Sequence, residues 1–249
     1  MKLSLLGALI LLLLSTANIY SQNFTRVNKY AMGVELHMGS TFPNILEQQD
    51  QWKAKLHASG GFNLLFVNRL NANWSADIGI GLTSYFMNYR GPIDNYIFDF
   101  ISPLALAGIS YSIPTSKRQE SFIKLTSGIQ MGYQGEFIDE FDAYTVYVEG
   151  TNRWYYFLRP EIGMRRYFKK KMKGSRFKQN YEFGTFFRYN INDLGIARIE
   201  ENNLNLTIQP KGNVIGGYIK FLIPAGNQGI KVKSLEEQLP PIIYSPRFL

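Results

Sequence analysis

Residues 73–89 read NWSADIGIGLTSYFMNY, and their alternation decides what kind of protein this is. Trp74, Ala76, Ile78, Ile80, Leu82 and Phe86 fall on one parity; Ser75, Asp77, Gly79, Gly81, Thr83 and Tyr85 fall on the other. A period of two sustained this far is the signature of a β-strand. The run outlasts an ordinary strand of about five or six residues, and its second face is polar and glycine-rich. A membrane-spanning strand needs about 9–11 tilted residues, apolar towards lipid and polar towards a lumen, often with aromatic residues at both ends. Trp74 at one end and Tyr85, Phe86 and Tyr89 at the other are candidates for such girdles.

The same alternation recurs along the chain and predicts eight strands. They are 30–40, 56–67, the stretch 73–89 itself, 100–113, 122–134, 153–168, 178–189 and 207–223. In the first, Met32, Val34, Leu36 and Met38 oppose Gly33, Glu35, His37 and Gly39. In the fifth, Ile123, Leu125, Ile129, Met131 and Tyr133 oppose Lys124, Thr126, Gly128, Gln130 and Gly132. The fold class that follows is all-β: an eight-stranded antiparallel up-and-down transmembrane β-barrel over residues 23–223.

Composition agrees. Aromatic residues make up 15% of the chain and charged residues only 18%, against about a quarter in an average soluble domain. Mean hydropathy is slightly negative, and beyond residue 22 no run of about 18 apolar residues offers a spanning helix. The N-terminus, residues 1–22, reads as a secretory signal peptide: Lys2, an apolar run over residues 3–14, and small residues at 15–17. Cleavage fits equally after Ala17 or near Ser21. With no cysteine, disulfides, thiolate metal sites, a cysteine nucleophile and lipid attachment through cysteine are excluded.

Connection lengths alternate on this reading. Residues 68–73, 114–121 and 169–177 are short; residues 41–55, 90–99, 135–152 and 191–206 are mostly longer. Short periplasmic turns and long extracellular loops are the outer-membrane arrangement, and an even strand count returns both termini to the periplasm. Charge follows the same division. Residues 135–152 carry Glu136, Asp139, Glu140, Asp142 and Glu149 without a base, whereas 169–177 carry Lys169, Lys170, Lys171, Lys173 and Arg176 without an acid. The acidic stretch reads as a solvated loop or as a divalent-cation or partner surface. The basic turn reads as solvated or as a contact for anionic lipid headgroups or a periplasmic partner. The net charge of +8, with Lys2 the only charge in the signal, is too scattered for a nucleic-acid face.

On the parity facing away from lipid stand Glu35, Asp77, Arg159, Glu161, Arg165, Glu182, Arg188 and Lys220. An eight-stranded barrel is just wide enough for side chains to fill, and charges packed there must pair. They therefore read as a lumen charge network, either a salt-bridge plug or the lining of a narrow channel. Residues 224–249 have four prolines and no alternation, so they read as an extended periplasmic tail. Its Ile242, Ile243, Tyr244 and Phe248 are candidates for binding a periplasmic or membrane partner.

Catalytic options are few with two histidines. His57-Ala58-Ser59 puts an imidazole and a hydroxyl on one strand face, and with Glu35 on the neighbouring strand makes a Ser/His/acid set conceivable. His37 and His57 lack a third convincing metal ligand. No Walker-type loop, HExxH, dinucleotide fingerprint or EF-hand loop appears, so neither cofactor nor metal is expected, and the leading reading is non-enzymatic.

With its signal peptide and its opening YAMGVELHMG at 30–39, the chain resembles the small outer-membrane barrels of the OmpA/OmpX type, and more specifically the PorT-like barrels of Bacteroidota. The resemblance covers about residues 30–223. It implies residence in the cell outer membrane among lipid and lipopolysaccharide, and an accessory role in a protein secretion apparatus. The His-x-Ser motif resembles that of outer-membrane lipid A deacylases, which implies a lipid-modifying enzyme as the alternative; the parity that points His57 and Ser59 inward runs against it.

Overall fold

The computed structural model describes residues 27–42, 53–90, 95–116, 118–132, 136–140, 145–150, 154–168, 179–192, 196–201, 204–208 and 211–230. The signal peptide, the basic turn at 169–177, and Ile242, Ile243, Tyr244 and Phe248 of the tail lie outside them, as does Asp142. In chain order the strands are β1 (Val27–Phe42), β2 (Lys53–Lys55), β3 (His57–Arg69), β4 (Trp74–Arg90), β5 (Asn95–Ser116), β6 (Gln119–Met131), β7 (Glu136–Glu140), β8 (Thr145–Glu149), β9 (Trp154–Tyr167), β10 (Asn180–Asn190), β11 (Ile196–Glu201), β12 (Leu204–Ile208) and β13 (Asn213–Ile230). Among the described residues there is no helix.

Eight of these strands close a barrel. β1 pairs with β3, β3 with β4, β4 with β5, β5 with β6, β6 with β9, β9 with β10, β10 with β13, and β13 returns to β1, every pair antiparallel. Each strand thus lies beside its barrel neighbour in chain order, β13 closing on β1, and closure leaves no strand of the barrel as an edge strand. The expected up-and-down eight-stranded barrel is the fold found.

Inward and outward residues alternate as the period of two requires. Outward stand Met32, Val34, Leu36 and Met38 on β1; Ile78, Ile80 and Leu82 on β4; Ile123, Leu125 and Ile129 on β6; and Ile215, Ile219, Phe221 and Ile223 on β13. The tight turn between β3 and β4 is fixed locally: the Asn71 side-chain oxygen accepts from the backbone N–H groups of Asn73 and Trp74, each at 2.9 Å, an Asx turn. Together with the break between β5 and β6 it defines a short-turn rim.

Several boundaries differ from the sequence reading. Tyr85 and Tyr89 are not girdle residues: both are fully buried inside the barrel, and Trp74 alone of the two ends' candidates is well exposed. The stretch 90–99 is not a loop, because β4 and β5 stay in register from Tyr85↔Phe100 to Arg90↔Asn95 and leave only 91–94 as the connection. β13 runs to Ile230 rather than ending at 223. Pro224 is tolerated within it because β10 stops at Asn180, opposite Leu222, so beyond that point β13 has β1 as its one ladder neighbour. Finally, the stretches 135–152 and 191–206 carry strands. β7, β8, β11 and β12 form a separate four-stranded sheet in the order β12-β11-β8-β7, beyond the rim opposite the short turns. Val146 and Val148 are buried on one side of β8 and Tyr147 is exposed on the other.

Candidate functional site

The barrel interior holds the chain's densest chemistry, and strand register assembles it. Glu35 stands opposite Lys220, Lys220 opposite Glu182, Glu182 opposite Arg165, and Arg165 opposite Glu120. An unbroken row of alternating charge therefore winds from β1 through β13, β10 and β9 to β6. Directly opposed residues on one sheet face have side chains about 5 Å apart, so a row of this kind is a row of ion pairs.

The geometry confirms it. The Lys220 ammonium lies 3.0 Å from Glu182 and 3.5 Å from Glu35. Arg165 donates to Glu182 at 2.6 Å and to Glu120 at 3.0 Å. Glu120 is then gripped two-pronged from across the lumen by Arg69, whose Nη2 and Nη1 reach its two oxygens at 3.0 and 3.2 Å. Tyr167 donates to the same carboxylate at 3.1 Å. This cluster lies at the short-turn rim and ties β3, β6, β9 and β10 together.

A second layer sits above the first. Arg159 donates to Glu35 at 2.7 Å and lies 3.4 Å from Glu161, with its guanidinium over the rings of Phe186 and Tyr218 at 4.2 and 5.2 Å. Lys124 reaches Asp77 at 2.5 Å and Glu161 at 3.8 Å. β5 stands between the strands that carry Lys124 and Asp77, and Gly108 makes the passage. A Cβ on Gly108 would sit 2.5 Å from the Asp77 carboxylate and 2.6 Å from the Lys124 chain, too close for real atoms.

All the charged residues read from the sequence as a lumen network are buried: Glu35, Asp77, Arg159, Glu161, Arg165, Glu182, Arg188 and Lys220. Among the described residues, all but Arg188 find ion-pair partners. The structure adds Arg69, Glu120 and Lys124. Lys124 stands on the inward parity and is legible there; Arg69 and Glu120 fall in turns on the sequence reading, whose strands stop short of them. The lumen is also less polar than expected. Leu65, Leu104, Leu106 and Phe157 form one buried apolar cluster, and Ala31, Val67 and Leu222 another. Apolar side chains between the ions exclude water and strengthen the pairs. A cavity of about 30 Å³ near the short-turn rim, lined in part by Asn28, Arg69, Ser75 and Asn180, has room for a water or two.

The Ser/His/acid set is not assembled. Glu35 pairs in register with Asn63, whose amide donates to it at 2.8 Å, whereas His57 pairs with Thr41. Six residues of strand separate those levels, roughly 20 Å at 3.3 Å per residue. His57 instead packs its ring 5.7 Å from that of Phe86. His37 and His57 are likewise held apart: His37 Nδ1 lies 3.7 Å from Glu35 and its Nε2 3.5 Å from Thr83.

No protein-family model matches the chain, and no curated protein does. Among solved structures, the crystal structure of the outer membrane protein OprG from Pseudomonas aeruginosa is similar to it at 10% identity and a TM-score of 0.43, over 83% of this chain and 98% of that chain.

Proposed function

We propose that this chain is a non-enzymatic integral protein of the outer membrane, a plugged barrel that serves as a structural or accessory component through the parts that project beyond its rims. One observation carries the reading. The outward face of all eight barrel strands is overwhelmingly apolar through the central levels, interrupted by the hydroxyls of Ser127 and Thr185, and carries no charged residue there: Met32 to Met38, Phe62 to Phe66, Ile78 to Leu82, Ile101 to Ile109, Ile123 to Ile129, Leu158 to Met164, Phe183 to Phe187 and Ile215 to Ile223. Water does not sustain a contiguous apolar belt of this size. From Ile215 to Ile223, at about 3.4 Å per residue and a strand tilt of about 40°, the belt is roughly 20 Å tall, close to the apolar band of about 25 Å in outer-membrane barrels.

Aromatic residues flank the belt on both sides. Trp74 packs 5.1 Å from Tyr111, and Phe168 5.5 Å from Tyr181, at the short-turn rim; Trp154, Tyr156 and Tyr189 are exposed at the other. Those girdles suit the headgroup level of a bilayer. The short turns face the periplasm on this reading, which places both chain ends there and the β7–β12 sheet outside the cell. The filled lumen supports a plug in preference to a channel. The tail with Ile242, Ile243, Tyr244 and Phe248 is the docking segment for a periplasmic or membrane protein, and the resemblance to PorT-like barrels makes a secretion apparatus the setting to examine.

The test is fractionation of cells expressing the full chain. The protein is expected with the outer membrane, resistant to alkaline carbonate and faster on SDS gels before boiling than after. Release by carbonate would refute membrane integration. Deleting 231–249 is expected to leave insertion intact while abolishing co-purification of a partner from detergent extracts; unchanged co-purification would remove the docking role from the tail.

A further inference from the structure

We infer that Arg188 forms an anion site inside the barrel, in the half away from the short-turn rim, built to take a small oxyanion of the carboxylate or phosphate class. Its side chain is 1% exposed. Nη1 donates to the Thr83 hydroxyl and to the Tyr85 hydroxyl, each at 3.1 Å, and the guanidinium lies 4.7 Å from the centre of the Phe157 ring. Nε and Nη2 are buried without a hydrogen-bond partner. Those two N–H groups lie parallel on one edge of the guanidinium, the fork that carboxylates and phosphates take in two-pronged fashion.

Charge points the same way. Each of Arg69, Lys124, Arg159, Arg165 and Lys220 has a carboxylate within ion-pair distance, while among the described residues Arg188 has none. The β9–β10 register, from Phe186↔Glu161 to Tyr189↔Leu158, sets Arg188 directly across from Arg159, and like charges so placed repel. Arg159 Nη2 is likewise buried without an acceptor. Surplus donors and surplus positive charge therefore coincide at one level of the lumen, where an uncompensated cation is costly to bury. The holder is pre-set as well: the Tyr85 hydroxyl donates to Gln130 at 2.7 Å, so the group that orients Arg188 is itself fixed. These arguments concern the interior alone and stand whatever the outer face of the barrel contacts.

The experiment is thermal melting of the full chain refolded in neutral detergent. Sodium formate and inorganic phosphate are titrated separately, with ionic strength held by sodium gluconate, an anion too bulky for the packed lumen. The wild-type melting temperature is expected to rise with one or both anions and to saturate, as for any ligand of the folded state alone. A formate effect assigns a carboxylate, a phosphate effect the tetrahedral oxyanion. R188M is expected to show no rise and to melt at or above wild type in gluconate; R188K, which keeps the charge without the fork, is expected to rise less than wild type and serves if R188M does not refold. A wild-type melting temperature indifferent to both anions overturns the proposal. So does a rise in either variant equal to that of wild type.

Discussion

Replacing Glu35 by glutamine isolates the energetic role of the lumen network. Glu35 is 1% exposed and meets Arg159 at 2.7 Å and Lys220 at 3.5 Å. At an effective dielectric constant of about 20 those separations correspond to gross attractions of about 6 and about 5 kcal/mol. Desolvation of three buried ions consumes most of that sum, and removing one partner of such a pair leaves a net loss of about 3–5 kcal/mol, because the remaining cations stay buried. The side-chain volume is kept and an amide oxygen still faces Asn63, so packing changes little. The assay is urea unfolding of the protein refolded into lipid vesicles, read by the emission of tryptophan. A companion variant, E35Q/K220M, restores the balance of charge: Arg159 keeps Glu161, Glu182 keeps Arg165, and Asp77 keeps Lys124. Its loss is expected to fall below about 2 kcal/mol, since well-packed apolar replacement of a buried pair is near neutral. An E35Q variant within about 1 kcal/mol of wild type, or a double variant worse than E35Q, would refute the claim that these charges stabilise the barrel as a balanced set.

Other substitutions probe the remaining claims. Ile80→Arg, at the centre of the outer belt, is expected to cost about 2–4 kcal/mol in vesicles and Trp74→Arg at its rim only about 0–1; equal costs would show that the belt does not face lipid. Gly108→Val inserts atoms where Lys124 reaches Asp77, so it is expected to lower stability by about 3–5 kcal/mol, and a melting temperature equal to wild type would mean that the pair does not form. Planar bilayers containing the protein are expected to stay silent across a wide voltage range, whereas discrete conductance steps would favour a channel. Ser59→Ala is expected to leave the lipid A mass spectrum of expressing cells unchanged, and a difference would revive the enzymatic reading.

Alternation in sequence is a local property, which is why so much of the barrel is legible in the order of its residues. A strand sends successive side chains to opposite faces wherever it lies, so Met32 to Met38 or Ile78 to Leu82 declare an apolar side without reference to a partner. The inward residence of Glu35, Arg159 and Lys220 follows from the same rule. Where strands end is not local. β4 and β5 continue to Arg90 and Asn95 because each supplies the other's hydrogen bonds, and Arg69 and Glu120 fall inside the lumen only once the full extent of their strands is known. β7 with β8 and β11 with β12 are local hairpins, but β8 pairs with β11 across segments far apart in the chain, and no short-range pattern announces that. The composition and the period of two thus determined by themselves a barrel with its charges within. Register alone decided which charge meets which, and it left Arg188 facing Arg159 without an acid among the described residues, because pairing across strands depends on the stagger with which the sheet closes.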